Sequence, residues 1–145
     1  MKIYTMGFTQ KSAETFFERI KENKIELLID IRLNNQSQLA GFAKGRDLKY
    51  FLDKLCQCGY AHELRFAPEK KLLDEYKKGQ ITWDQYVVRF NKLIQTRTMV
   101  NFFHEKYSGY DRVLLLCSEP TPEQCHRRLL AEAISSETGF DVIHI

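Results

Sequence analysis

The sequence predicts a single α/β domain in which a largely parallel sheet is flanked by helices. Short apolar runs, suited to buried strands, alternate with longer segments that have helical periodicity. A length of 145 residues is that of one ordinary domain with its own core. The chain shows no internal repeat and no low-complexity segment. We therefore expect one domain over residues 1–145.

Composition and charge narrow the classes of protein to consider. Hydrophobic residues make up 43% and charged residues 28% of the chain, as in soluble globular proteins. A net charge of +3 is too small to indicate nucleic-acid binding by itself. No apolar run is long enough to span a membrane, and the chain starts with a strand-like pattern rather than a signal peptide. We expect a cytoplasmic protein without a disulfide scaffold, and the sequence predicts no particular oligomeric state.

The first part of the chain predicts two strands and the helix between them. Residues 2–8 form the first strand, and Ser12 is suited to cap the helix that follows. Residues 25–31 are apolar nearly throughout, as in a strand that is covered on both faces. Residues 34–45 are long for a connection and lack a period. This segment is either a lid that carries Phe42 or a plain surface loop.

The rest of the chain repeats this alternation. A helical stripe over residues 48–55 is followed by Gly59, which suits a helix C-cap. Thr82 and Gln85 have the spacing of a capping box before another helix. The remaining expected elements are a strand over 60–66, a helix over 68–78, a helix that continues to Tyr107 after a break near 96–98, a strand over 111–117, and a last helix and strand separated by Gly139.

The stretch 117–131, CSEPTPEQCHRRLLA, is the strongest candidate for a functional segment. It follows an apolar strand, and Thr121 and Gln124 predict a helix that begins near Pro122. Cys125 is then expected in or just beyond the first helical turn. In open α/β sheets, ligands bind at the carboxyl ends of strands, close to helix N-termini. We therefore predict the site at this segment.

Four pieces of the sequence carry a resemblance to a known family. They are TMGFTQKSAETF at 5–16, LLIDIR at 27–32, APEKKLLDEYKKGQITWDQY at 67–86 and LLLCSEPTPEQCHRRLLAE at 114–132. In this order they resemble the DUF488 family, small bacterial and archaeal domains whose biochemical function is not established. The specific part is the turn with Cys117 and Glu119 before Cys125-His126-Arg127. The resemblance implies an α/β fold and a site at this segment, and it implies no reaction.

Cys117 and Cys125 are candidate catalytic thiols. A reactive thiolate needs nearby positive charge or a helix N-terminus, and His126 or Arg127 could supply the charge. The sequence slightly favours a structural role for Cys117, because free cysteine is among the most buried residue types. Glu119 would also oppose a thiolate electrostatically.

A zinc site is an alternative interpretation of the same segment. It would use Cys117 and Cys125, with His62 or His126 completing the set. The spacing of the two cysteines is unlike that of zinc knuckles, and neighbouring residues on a helix point about 100° apart. We therefore predict neither a metal nor another cofactor.

Arg32 and Arg127 are predicted to bind an anionic ligand. Arg32 ends a strand and Arg127 lies near the start of a helix, where the helix dipole repels a guanidinium unless an anion lies between them. The alternative is an ion pair with Asp30, Glu119 or Glu123 on a solvated face. Strand alternation places Asp30 on the same face as Arg32. Tyr60 and His62, on the expected third strand, are further candidates for ligand binding.

Two functions are compatible with these residues, so the sequence leaves open whether the protein is an enzyme. The first is an enzyme-like pocket for a small anionic ligand, such as a nucleotide or another phosphorylated metabolite. Cys117 or Cys125 would be its reactive thiol, and Asp30, Glu119 and His126 would transfer protons or orient neighbours.

The second function is a non-catalytic module that binds nucleic acid or a protein, with a structural Cys-His-Arg segment. Lys44, Arg46 and Lys49 form the only compact basic group near the predicted site. The other lysines are scattered among acidic residues, which gives this function weaker support. Nucleic-acid binding would weaken steeply with salt.

Overall fold

The structure is a computed structural model that describes residues 1–36 and 40–145. Its strands are β1 (Lys2–Gly7), β2 (Leu27–Asp30), β3 (Gly59–His62), β4 (Arg112–Cys117) and β5 (Asp141–His144). They form one five-stranded sheet in the order β3-β2-β4-β1-β5, and every neighbouring pair is parallel. The predicted α/β class with a parallel sheet is therefore confirmed.

Helices cover both faces of this sheet. They are α1 (Ala13–Glu22), α2 (Gly45–Phe51), α3 (Lys70–Lys77), α4 (Trp83–Thr96), α5 (Met99–Tyr107) and α6 (His126–Thr138). Helix α2 continues as a π-helical turn over Leu52–Cys56. Buried residues of α1 and α2 pack on one face, and those of α3 to α6 pack on the other. None of the helices in the described ranges is both long and apolar enough to cross a membrane.

Strand β4 shows why the sequence of a central strand is apolar throughout. Val113 and Leu115 belong to the core under α3 to α6, whereas Leu114 and Leu116 belong to the core under α1 and α2. All four side chains are fully buried. A parallel strand covered on both faces loses the polar alternation of a half-exposed strand.

The connections that follow β1 and β4 lie on opposite faces of the sheet. Strand β1 leads through α1, on one face, to β2, whereas β4 leads through α6, on the other face, to β5. The two strands are neighbours in the sheet. Adjacent parallel strands whose connections leave on opposite faces form a topological switch point, the usual ligand site of open α/β sheets.

Two helix caps and one helix break agree with the sequence. The hydroxyl of Ser12 accepts a hydrogen bond from the amide of Thr15 at the start of α1. Thr82 and Gln85 form both hydrogen bonds of a capping box at the start of α4. The break between α4 and α5 falls where Thr98 takes a left-handed backbone conformation. All three predictions are confirmed, and the two caps form through local hydrogen bonds.

Two predictions near β3 are wrong. The segment after α2 ends at Gln57, which has a φ of 51°, so Gly59 is not a C-cap but the first residue of β3. The third strand ends at His62 rather than continuing to residue 66. Residues Leu64–Phe66 form a 3-10 turn instead, which buries Phe66 against α5.

The predicted start of the last helix near Pro122 is also wrong. Helix α6 begins at His126, and Cys125 is its N-cap residue with an extended backbone. The segment before it is a series of turns whose carbonyl groups accept hydrogen bonds from α6 side chains. Arg127 donates to the carbonyl of Glu119, and Arg128 donates to that of Glu123. These contacts with the helix hold the segment in an irregular conformation that its capping residues do not reveal.

Candidate functional site

A cavity of about 320 Å³ lies at the carboxyl ends of β2 and β4. Its wall consists of the residues that follow these two strands, the start of α6, and one side of α3 and α4. The volume is in the range of small-molecule sites. The cavity therefore lies at the edge of the sheet where the sequence predicts a site.

Cys117, Cys125 and His126 meet at the wall of this cavity. All three are buried, and their sulfur and ring nitrogen atoms lie within 4.8 Å of one another. The sulfur atoms of Cys117 and Cys125 are paired as a disulfide, with Cα atoms 7.7 Å apart. The three residues, which we call the thiol–imidazole cluster, come together because Cys125 is extended and precedes the helix. The 100° divergence expected for two helical residues does not apply to Cys125 and His126.

His126 is held in one orientation by a hydrogen bond to the backbone just after β2. Its Nε2 lies 2.9 Å from the carbonyl oxygen of Ile31, and a carbonyl can only accept, so Nε2 carries the proton. The ring also packs edge-on against Phe90. Burial lowers the pKa of His126 to about 4. The imidazole is therefore neutral at pH 7, and Nδ1 keeps a free lone pair.

Arg127 is a buried cation directed at Cys117. Its Nη1 donates to Cys117 Sγ at 3.1 Å and to the carbonyl oxygen of Glu119 at 2.7 Å. Its Nε has no hydrogen-bond partner within the described residues. Burial lowers the pKa of Arg127 to about 10, so the guanidinium is still charged at pH 7. The positive charge next to Cys117 favours its thiolate form whenever this thiol is reduced.

Gly7 permits this arrangement. It is the last residue of β1 and pairs with Cys117 in the neighbouring strand. A Cβ atom on Gly7 would overlap the carbonyl group of Glu119 and lie 3.1 Å from Nη1 of Arg127. The sequence marks Gly7 only as the end of a strand. Its role depends on the pairing of β1 with β4, which is not visible in the sequence.

Asp30 and Arg32 form a buried, bidentate ion pair. Arg32 Nε donates to Asp30 Oδ1 at 2.8 Å, and Arg32 Nη2 donates to Asp30 Oδ2 at 2.7 Å. Nη2 also donates to the carbonyl of Ala43, and the guanidinium lies over the ring of Phe8. Nη1 is buried without a hydrogen-bond partner in the described part of the chain. The ion pair considered for these residues is therefore present, and Arg32 also borders the cavity.

Tyr60 and His62 support this ion pair from β3. The hydroxyl of Tyr60 donates to Asp30 Oδ2 at 2.7 Å, and Nε2 of His62 donates to the carbonyl of Arg32 at 2.7 Å. Neither residue is among those that line the cavity, and neither is Arg127. Within the described residues, the structure thus places these three predicted ligand-binding side chains behind the cavity wall. Glu119 lies at the wall, with an exposed side chain.

One wall of the cavity is aromatic, and the sequence does not identify it as part of the candidate site. The rings of Trp83 and Tyr86 are stacked, with centroids 5.1 Å apart, and Tyr76 packs against both. All three residues line the cavity, together with Lys77. The spacing of Trp83 and Tyr86 on α4 predicts core packing, and Tyr86 is indeed buried in the core. Helical spacing alone is the same for a core residue and for a residue that lines a cavity.

The segment 34–45 is only partly described, since residues 37–39 lie outside the described ranges. Phe42, the aromatic residue of the proposed lid, packs against Phe16 and Phe17 of α1. It therefore belongs to the core on the α1 face. Asn34 is the residue of this segment that borders the cavity.

Comparison with known proteins gives a family. No curated protein and no solved structure matches this chain significantly. The family model described as "Domain of unknown function DUF488" matches residues 12–134. The matched range contains most of the fold and all of the thiol–imidazole cluster. The chain therefore belongs to the DUF488 family.

Proposed function

We propose that this chain is a thiol-dependent enzyme that binds a small anionic ligand, such as a nucleotide or another phosphorylated metabolite, in the cavity at the ends of β2 and β4. The observation that carries the proposal is the position of Cys117. Cys117 is one of the residues that line the cavity, and its sulfur accepts a hydrogen bond from the buried guanidinium of Arg127.

The contact between Arg127 and Cys117 supports a role for the thiolate. A buried cation is costly unless an opposite charge or strong hydrogen bonds compensate it. Arg127 forms no salt bridge with a carboxylate within residues 1–36 and 40–145. A Cys117 thiolate would supply the missing negative charge. Since a thiolate centre requires reduced cysteines, we also propose a cytoplasmic setting.

The groups for proton transfer are His126 and Glu119 in this proposal. His126 is neutral, and its Nδ1 is free to accept a proton in the thiol–imidazole cluster. Glu119 presents an exposed carboxylate at the same wall. Asp30 is bound to Arg32 and Tyr60 through both oxygens, so its role is to hold Arg32 in place.

The residues of the cavity wall are suited to a ligand that has a planar group and a negative charge. The stacked rings of Trp83 and Tyr86 offer a surface for a planar group. Lys77 lies on the same wall and forms no salt bridge within the described residues, whereas Lys70 is paired with Asp74. Arg127 is enclosed, so in this proposal it stabilises the sulfur, and Lys77 and Arg32 attract the ligand's charge.

Ligand binding is tested by thermal unfolding with inorganic pyrophosphate and with adenosine monophosphate as probes. The proposal expects either probe to raise the Tm of the wild type, and Lys77→Ala to lose most of this rise. Lys78→Ala is the matched control, because Lys78 has the same charge one residue later and does not line the cavity. No rise in the wild type at millimolar concentration, or equal rises in both variants, would contradict the proposed ligand class.

Thiol dependence is tested by alkylation with iodoacetamide at pH 7, followed by mass spectrometry of the native protein. The protein is first reduced and treated with a chelator. We expect Cys117 to react faster than Cys56, a half-buried cysteine whose pKa is raised by burial. If Cys117 and Cys125 react only after unfolding, the thiols have a structural role and this part of the proposal fails.

The alternative function, nucleic-acid binding without catalysis, has one supporting observation. Arg46, Lys49 and Tyr50 of α2 border the same shallow depression on the surface, and Tyr50 is 61% exposed. Cations beside an exposed ring suit a single-stranded nucleic acid. A labelled oligonucleotide should then bind at low salt, more weakly at high salt, and more weakly to Lys49→Ala. No binding at low salt would exclude this alternative.

A further inference from the structure

We infer that, once the Cys117–Cys125 disulfide is reduced, Cys117, Cys125 and His126 form a three-ligand site for a zinc-like divalent metal ion, with the fourth coordination position open to the cavity. The inference rests on the proposed function in one respect, because it uses the same cavity as the ligand site. It goes further by stating what the two sulfurs and the imidazole hold. With the ion bound, Cys117 and His126 would act as its ligands rather than as nucleophile and base.

The distances in the thiol–imidazole cluster suit a tetrahedral ion. The two sulfurs and one ring nitrogen lie within 4.8 Å of one another, and all three residues are buried. Zinc binds sulfur at about 2.3 Å and nitrogen at about 2.0 Å, which places tetrahedral ligand atoms about 3.5–3.8 Å apart. To reach that spacing, the disulfide must be reduced and the two sulfurs must move apart. Two thiolates and an imidazole are donors that favour zinc over magnesium or calcium.

The backbone spacing of the two cysteines favours a shared ion over a disulfide. Their Cα atoms are 7.7 Å apart, which is beyond the range of about 4.4–6.8 Å found for most disulfides. Two thiolates that bind one zinc ion hold their sulfurs about 3.8 Å apart. Two cysteines that bind one zinc ion therefore need a longer Cα–Cα distance than two cysteines in a disulfide. The end of β4 and the N-cap of α6 provide this width.

Two of the three ligands already have the outer partners that metal ligands usually have. Nε2 of His126 donates to the carbonyl of Ile31 at 2.9 Å, which leaves Nδ1 free for a metal ion. Metal-binding histidines commonly donate their second N–H to a carbonyl or carboxylate in this manner. Cys117 Sγ accepts a hydrogen bond from Arg127 at 3.1 Å. Arg127 would thereby offset part of the negative charge of the two thiolates.

The position of the cluster at the cavity would let the bound ion contact a small molecule. All three residues line the cavity, so a fourth ligand would come from the side where a small molecule can enter. Sites with three protein ligands and one open position are typical of catalytic zinc, whereas structural zinc has four protein ligands. The open position would take a water or an oxygen atom of the anionic ligand. An ion there would act as a Lewis acid on that oxygen.

Metal content is the first measurement. Wild-type protein, reduced and dialysed without chelator, should contain about one zinc ion per chain by elemental analysis. After zinc is removed, Cys125→Ser and His126→Asn should bind added zinc with a raised Kd. The increase should exceed about 10–100-fold, which is the effect of losing an outer partner of a metal ligand. Cys56→Ser and His104→Asn are matched controls and should bind like the wild type, since neither residue belongs to the cluster.

Cobalt replacement tests the wild type alone, in case a variant does not fold. The Co²⁺ form should show a thiolate-to-metal charge-transfer band and the visible bands of a tetrahedral ion. A reduced wild type that binds neither zinc nor cobalt would overturn the inference. So would equal zinc affinity in the wild type and in a folded Cys125→Ser. If the protein binds metal but its Tm does not respond to pyrophosphate or nucleotide, the metal site stands and the proposed ligand class is refuted. If the protein takes up no metal but its Tm rises with pyrophosphate or nucleotide, the proposed ligand stands and the metal site is refuted.

Discussion

The guanidinium of Arg127 donates a 3.1 Å hydrogen bond to the sulfur of Cys117, although the two residues are ten positions apart. Cys117 is the last residue of β4, and Arg127 is in the first turn of α6. Both are almost completely buried. The turns between them reverse the chain, so that the strand end and the helix start meet over Gly7. Charge and helix dipole then act on the same sulfur.

The first prediction concerns this contact. Replacing Arg127 with Met keeps much of the side-chain volume and removes the charge. We expect Cys117 of the reduced, metal-free variant to react with iodoacetamide at pH 7 about ten-fold more slowly than in the wild type, since an opposite charge at this distance typically shifts a pKa by about 1–3 units. Arg128→Met is the control, because Arg128 binds Glu132 and the carbonyl of Glu123 instead. Equal rates in both variants would show that Arg127 does not activate the thiol.

The second prediction concerns the ion pair of Asp30 and Arg32. Asp30→Asn leaves the buried Arg32 without its counter-charge, since Asp30 is 0% and Arg32 is 3% exposed. Breaking a buried pair from one side costs about 3–5 kcal/mol. The free energy of unfolding in urea should fall by an amount in this range. Asp74→Asn, which removes an exposed pair with Lys70, should change it little. Similar effects of the two substitutions would contradict a structural role for the Asp30–Arg32 pair.

The third prediction uses the close approach at Gly7. In Gly7→Ala, the new methyl group would overlap the Glu119 carbonyl that accepts from Arg127. The turn after β4 must then move, and we expect lower stability together with a changed alkylation rate of Cys117. Gly41→Ala is the matched control, because a Cβ atom there meets no heavy atom of the described residues within 4 Å. If Gly7→Ala behaves like Gly41→Ala in both measurements, the turn does not depend on this approach.

The fourth prediction concerns Cys58, which lies in the core under α1 and α2. Burial raises the pKa of Cys58 to about 12, and the nearby Cys56 contributes to the shift. The native thiol is therefore protonated at pH 9, and its alkylation should be much slower than in urea-unfolded protein. The unfolded chain releases this proton near pH 9 and the folded chain only near pH 12. The contribution of Cys58 to stability is therefore lost as the pH rises through this window. Fast labelling of native Cys58 at pH 9 would contradict its burial.

Local patterns explain which parts of the fold the sequence predicts. The apolar run of β4 and the capping box of α4 depend on residues close in sequence, and the structure confirms both. The start of α6 shows the opposite case. Thr121 and Gln124 have good capping chemistry, yet the helix begins at His126, because side chains of α6 bind the carbonyl groups of the preceding turns. Distant contacts override a local preference there.

The candidate site shows the same division. The sequence identifies Cys117, Cys125 and His126 as chemically notable and places them near a strand end. It also predicts no metal, because the spacing of the two cysteines is unlike that of zinc knuckles and because two helical neighbours diverge. That objection applies only if Cys125 is helical, and its extended backbone is a result of the folded turns. The inferred metal site therefore depends on a backbone conformation that residue spacing does not reveal.

The sequence by itself determined the α/β class, the alternation of strands and helices, and the segment that contains the candidate site. Periodicity and capping are properties of neighbouring residues, so they can be read from the chain. The tertiary structure decided the strand order, the approach of Gly7 to Glu119, the pairing of Asp30 with Arg32 and the meeting of the thiol–imidazole cluster at one cavity. These depend on which strands become neighbours, and strand neighbours are chosen by the packing of the whole core.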